Sequence, residues 1–166
     1  MAAKAKATAR QGVRRDRNLK EHRHDSYRLF GKLKEPTVCS GCGALFHKGR
    51  WTWGAAPKGA ATTTCPACHR MHDKYPMGLV TIAGSFKEKQ HEQVMGVIHN
   101  AAAQEKKEHP LSRIMAVERR PEGLVISTTD THLPRRIGEA LKHAYRGELE
   151  YHYDQEEEFI RVNWTR

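Results

Sequence analysis

The chain has 166 residues, 38% of them hydrophobic and 29% charged, and a net charge of +10 at neutral pH. That length suits one ordinary domain or two small ones, and the composition supports only a modest core. No apolar run in the sequence approaches membrane-spanning length, so a soluble protein is expected, and the lack of an export signal makes a cytoplasmic one the expectation.

The positive charge is concentrated at the start. Residues 1–34 carry eleven Lys and Arg against three acids, residues 35–85 five against two, and residues 86–166 thirteen against fourteen. Residues 1–24 are basic and poor in large apolar side chains, so a flexible arm that is disordered or folds only on binding is expected there. The arm lacks the apolar segment of a secretory signal, and Asp16, Glu21 and Asp25 argue against an organelle transit peptide. Charges this dense repel one another unless phosphates or counterions screen them. Arg10, Arg14, Arg15, Arg17, Lys20 and Arg23 are therefore candidate nucleic-acid contacts, with a solubilising tail as the plain alternative. Tyr27 to Phe30 is a short apolar segment suited to docking the arm on the next module.

Residues 25–77 make a second section, punctuated by Gly, Pro and two C-x-x-C pairs. Its periodic apolar content is too low for a core, so a metal is the expected support. Cys39 and Cys42 stand twenty-two residues before Cys65 and Cys68, the spacing of a four-thiolate zinc site of the zinc-ribbon or treble-clef kind. Gly41 and Gly43 free the first knuckle to turn towards the ion. Four thiolates fill the tetrahedral shell of one zinc ion, so its expected role is structural. The stretch CPACHRMH also contains the C-x-x-C-H pattern of c-type haem attachment. Haem would leave Cys39 and Cys42 without a role, whereas zinc uses all four cysteines and suits a reducing compartment. His69 and His72 are expected on the knuckle surface rather than as ligands. Between the pairs, Phe46, Trp51 and Trp53 alternate with His47, Lys48, Arg50 and Lys58. Aromatic faces beside cations suit unstacked bases, which makes Lys48, Arg50, Trp51 and Trp53 candidate RNA contacts. The alternative is that the Trp residues pack behind the ion, and at least one of them is expected to be buried.

Residues 78–166 read as an α+β domain. LVTIA (Leu79 to Ala83) is a short buried strand, and Ser85 with Glu88 forms a capping box for a helix. Val94, Val97, Ile98 and Ala101 give that helix one apolar stripe, and it should end before Pro110. RIMAV (Arg113 to Val117) and LVIST (Leu124 to Thr128) form a hairpin across Pro121-Glu122-Gly123. A second helix starts at Thr131 or Asp130 as cap, buries Leu133, Ile137, Leu141 and Ala144, and ends at Gly147. Leu149, Tyr151 and Tyr153 alternate in one further run, and Ile160, Val162 and Trp164 in another. The order is β-α-β-β-α-β with room for an extra strand, a ferredoxin-like arrangement.

Arg135, Lys142 and Arg146 share one side of the second helix, with Arg136 and His143 nearby. Arg135 and Arg136 are candidate phosphate contacts, and a solvated face balanced by Glu139, Glu148 and Glu150 is the alternative. No phosphate-cradling loop, H-E-x-x-H or nucleophile elbow is present in the sequence, so no catalytic residue is expected.

CSGCG, CPACHR and DTHLPRRIGEALKHAYRGELE together resemble a family of small bacterial zinc proteins. These in turn resemble the N-terminal region of the large-ribosomal-subunit export adaptor of eukaryotes and archaea, of the nonsense-mediated-decay type. The resemblance spans roughly residues 22–165. The adaptors carry more C-x-x-C pairs, and only Cys39, Cys42, Cys65 and Cys68 match here; their nuclear-export segments have no counterpart. The resemblance implies contact with the ribosome, to protect idle subunits or block premature joining. The expected protein is thus a monomeric RNA-binding stress or hibernation factor that contacts ribosomal RNA. A DNA-binding regulator and a protein-interaction adaptor are the alternatives, ahead of a hydrolytic zinc enzyme.

Overall fold

The computed structural model describes Asp25, Tyr27 and residues 32–84, 88–154 and 158–166. The arm residues Arg10, Arg14, Arg15, Arg17, Lys20 and Arg23 lie outside these, as do most of the 27–30 segment and the Ser85 cap.

The first folded section holds four three-residue strands, β1 (Thr37–Cys39), β2 (Leu45–His47), β3 (Arg50–Thr52) and β4 (Ala61–Thr63). They form a sheet in the order β3-β2-β1-β4, with β1 and β4 parallel. The helix α1 (Pro66–Asp73) follows; Pro66 suits its first turn, and Lys74 ends it in the left-handed region. The interior consists of Cys39, Ala44, Cys65 and Ala67, with Cys42, Trp51, Cys68 and Leu111 packed against them. Two of these four interior residues are cysteines, so little of the interior of this section is ordinary apolar core.

The second section holds β5 (Gly78–Ala83), α2 (Glu88–Glu108), β6 (Ile114–Arg120), β7 (Gly123–Thr128), α3 (His132–Tyr145), β8 (Glu148–Asp154) and β9 (Phe159–Thr165). Its sheet runs β6-β7-β5-β9-β8. A four-strand split βαβ has one strand after its second helix; here two follow as the β8–β9 hairpin. Strand β9 inserts beside β5 and pairs with it in parallel, so the sheet is mixed.

Period-two burial on the strands meets helical burial above them. Val80 and Ile82, Leu124 and Ile126, and Ile160, Val162 and Trp164 face Val94 and Ile98 of α2 and Leu133, Ile137 and Leu141 of α3. A Cβ on Gly138 would stand 2.8 Å from both Leu149 Cδ1 and Val162 Cγ1, so the glycine lets α3 settle onto the β8–β9 hairpin.

Of the two expected caps of α3, Asp130 makes the bond: its Oδ1 accepts from the Leu133 N–H at 3.2 Å, while Thr131 makes no side-chain cap bond. Two local expectations need correction. Ala144 is exposed, and Tyr145, four residues after Leu141, continues the buried stripe and meets Trp164 at 6.4 Å between ring centres. Arg146 leaves the helix at φ 62° and Gly147 follows at φ 88°, so the exit occupies both residues. The 71–78 connection brings the two sections into contact, as its shortness suggests: Met77 N–H donates to the Thr128 carbonyl at 3.0 Å and its own carbonyl accepts from Ile160 N–H at 3.1 Å.

Candidate metal centre

The first cysteine pair sits on the turn between β1 and β2, and the second on the first turn of α1. Cys39 ends β1, where its N–H donates to the Ala44 carbonyl at 2.8 Å and closes the knuckle. Cys65 caps α1, its Sγ accepting from the Cys68 N–H at 3.4 Å. Cys39 Sγ accepts from the Cys65 N–H at 3.2 Å, which ties the two pairs together. A Cβ at Gly41 would be 3.1 Å from Cys68 Sγ, and Gly43 takes φ +75°, so the first glycine gives room and the second gives the turn.

All four sulfurs lie within 4.8 Å of one another. The Cys39–Cys68 and Cys42–Cys65 sulfurs are each 3.8 Å apart. Sulfurs about 2.3 Å from a central ion at tetrahedral angles are separated by about 3.8 Å, so the cluster is of a size to hold a metal ion. Cys39 and Cys65 are buried, while Cys42 and Cys68 are partly exposed. Burial pushes the Cys39 thiol up, but N–H groups of Cys65, Cys42 and Gly41 outweigh it and bring it down to about 6. Burial dominates at Cys65 and Cys68 and pushes both up.

One residue that the sequence did not indicate joins this centre. Arg113 donates from Nη2 to Cys42 Sγ at 2.9 Å and from Nη1 to Cys68 Sγ at 3.4 Å. Burial pulls its pKa down, but these sulfurs raise it and hold it charged. A single Arg before a β-rich run carries no spacing signal, which is why it passed as part of the strand.

The histidines stay outside the cage. His69 is exposed, and His72 bonds Asp73 at 2.8 Å. Lys48 and Arg50 are both exposed at the β2–β3 turn. Neither tryptophan is fully buried, contrary to expectation. Trp51 is half-buried and meets Phe46 at 5.4 Å, while Trp53 is 40% exposed and donates from Nε1 to the Lys106 carbonyl at 2.6 Å. A module this thin cannot enclose an indole, so Trp53 uses the end of α2 instead. Arg135 is exposed on α3. Arg136 lies in a groove of about 570 Å³ between α2 and α3, 3.3 Å from Glu105 and 4.0 Å from Glu139. Its charge is locally compensated there. The arrangement thus gathers the four cysteines and Arg113, and leaves Lys48 with Arg50 and Arg135 with Arg136 on separate elements.

No family model matches the chain, and neither curated proteins nor solved structures give a match. No helix among the described residues is long and apolar enough to cross a membrane.

Proposed function

We propose that this chain is a zinc-stabilised RNA-binding protein that associates with the ribosome, in the manner of a hibernation or subunit-protection factor. The observation that carries the reading is the charge distribution: eleven Lys and Arg against three acids in residues 1–34, joined directly to a small four-cysteine module. A basic arm gains affinity by displacing counterions from phosphates, and a rigid module at its root limits where it reaches. The first pair on a turn and the second on a helix start support a zinc reading of the four cysteines, and the α+β section, whose parallel β9 departs from a plain ferredoxin-like sheet, supplies a second body beside it. Zinc is the ion that four thiolates at this spacing favour, and a filled shell gives it a structural role.

Exposed Lys48 and Arg50 extend the basic surface beyond the arm, Trp53 offers a partly open ring beside them in sequence, and Arg135 offers a second contact on α3. Compensated Arg136 and half-buried Trp51 contribute less. The test is binding of structured RNA and duplex DNA at one salt concentration, for the intact zinc-loaded chain and for a variant lacking residues 1–24. RNA preference with weaker binding and a shallower salt slope in the deletion is expected. Equal binding by the deletion variant would remove the arm from the account, and preference for duplex DNA would replace it with a DNA-binding reading.

A further inference from the structure

Arg113 belongs to the second section, one residue before β6, yet its guanidinium lies on the cysteines of the first. Its backbone is fixed by the α/β body: its N–H donates to Thr129 Oγ1 at 2.9 Å, and its carbonyl accepts from the Thr129 N–H at 3.0 Å. Its Nε donates to the Pro110 carbonyl at 2.7 Å, which aims the fork. Nη2 then stands 2.9 Å from Cys42 Sγ and 4.0 Å from Cys65 Sγ, and Nη1 3.4 Å from Cys68 Sγ. Around it, Leu111 packs on the cysteine cluster, and Trp53 bonds the Lys106 carbonyl with its ring 5.9 Å from the guanidinium carbon.

We propose that Arg113 makes the four-cysteine centre a metal-dependent latch between the module and the α/β body. A divalent ion in four thiolates leaves the centre with a net charge of about −2, held in a fixed array by the coordination bonds. A planar guanidinium matches such a fixed anionic face with several charge-assisted bonds at once, which a flexible ammonium does not. The ion thereby holds the body as well as the module: with the array fixed, the 109–113 turn is held in place; with the ion removed, the fork loses the sulfurs it matches. A guanidinium that merely filled space beside Trp53 would have no reason to aim two of its nitrogens at two different ligands.

This inference rests on a metal ion at the four cysteines and not on RNA binding. The experiment is hydrogen exchange on the full chain, wild type and Arg113→Gln, each with zinc and after chelation, with zinc content measured on every sample. Chelation of the wild type should speed exchange at 106–116 as well as in the module, while β5 and β9 keep their protection. Zinc-loaded Arg113→Gln should show the same loosening at 106–116 and give up zinc about 10–100-fold more readily to a competing chelator. Arg113→Lys, which keeps the charge and loses the fork, should fall between them, and it carries the test if the Gln variant does not fold. Wild-type exchange and zinc affinity in these variants would overturn the latch. So would protection at 106–116 that survives chelation, and a wild-type chain that binds no metal would remove its basis.

Discussion

The Arg70 guanidinium stands 4.5 Å from the centre of the Tyr27 ring, and Tyr75 lies on the same cation at 5.7 Å. Arg70 is 3% exposed and pairs with the Asp25 carboxylate, so a buried cation of α1 anchors the residues that follow the arm. Breaking a buried pair leaves a charge without compensation. Arg70→Gln should lower unfolding free energy by about 3 kcal/mol. Tyr27→Ala, which removes one ring and leaves the ion pair, should cost ~1 kcal/mol. Urea unfolding of both variants checks this, and equal losses would assign the anchor to the ring rather than the ion pair.

Loss of one ligand should separate the two sections. On the proposed zinc reading, Cys65→Ser should lower bound metal from about one ion per chain to near none. Exchange across 37–74 should become fast, because four three-residue strands and one short helix bury too little to hold. The core around Val80, Ile126 and Trp164 should stay protected, since none of it depends on the cysteines. Elemental analysis with hydrogen exchange reads both, and a global loss of protection would mean that the α/β body does not stand without the metal.

The fold was legible where burial follows a period. Both helices of the second section and the alternation in β7 and β9 follow from residues that face one core, whereas β6, exposed along most of its length, was legible from its β-rich run and the turn after it. Sheet order was not legible, because register and neighbours depend on which edge the β8–β9 hairpin reaches; no local signal tells β9 to enter beside β5. The cysteine cluster was legible because two C-x-x-C pairs at this spacing are the pattern of a four-sulfur metal site. Arg113 and Arg70 were not, since a lone Arg looks the same in sequence whether it faces water, a thiolate cluster or two rings.

Gly138 offers a packing test. Its Cβ position is 2.8 Å from Leu149 Cδ1 and Val162 Cγ1, so Gly138→Ala should cost about 1–3 kcal/mol despite its better helix propensity. Leu149→Ala opens part of that space. In a double-mutant cycle, the alanine at 138 should cost less in the Leu149→Ala background; strictly additive losses would mean that α3 does not press on β8 there.

Asp130 should titrate above the usual carboxylate range. Burial raises its pKa, and bonds from the Ser112 hydroxyl and the Leu133 N–H counter only part of that. A folded value above the unfolded one means that the fold binds this proton more tightly. Its contribution to stability is therefore greatest at low pH and declines as pH rises from the unfolded value through the folded one. Carbonyl-carbon NMR of Asp130 across pH reads the value directly. Ser112→Ala removes a bond that favours the charged form and should raise it further; a fall would mean that burial is not the dominant cause.

The most direct measurement of the functional account is co-sedimentation of the full zinc-loaded chain with ribosomes across a salt series. The account predicts migration with one subunit or with whole ribosomes that weakens steeply as salt rises, as phosphate contacts by a basic arm require. Failure to co-migrate even at low salt would contradict it.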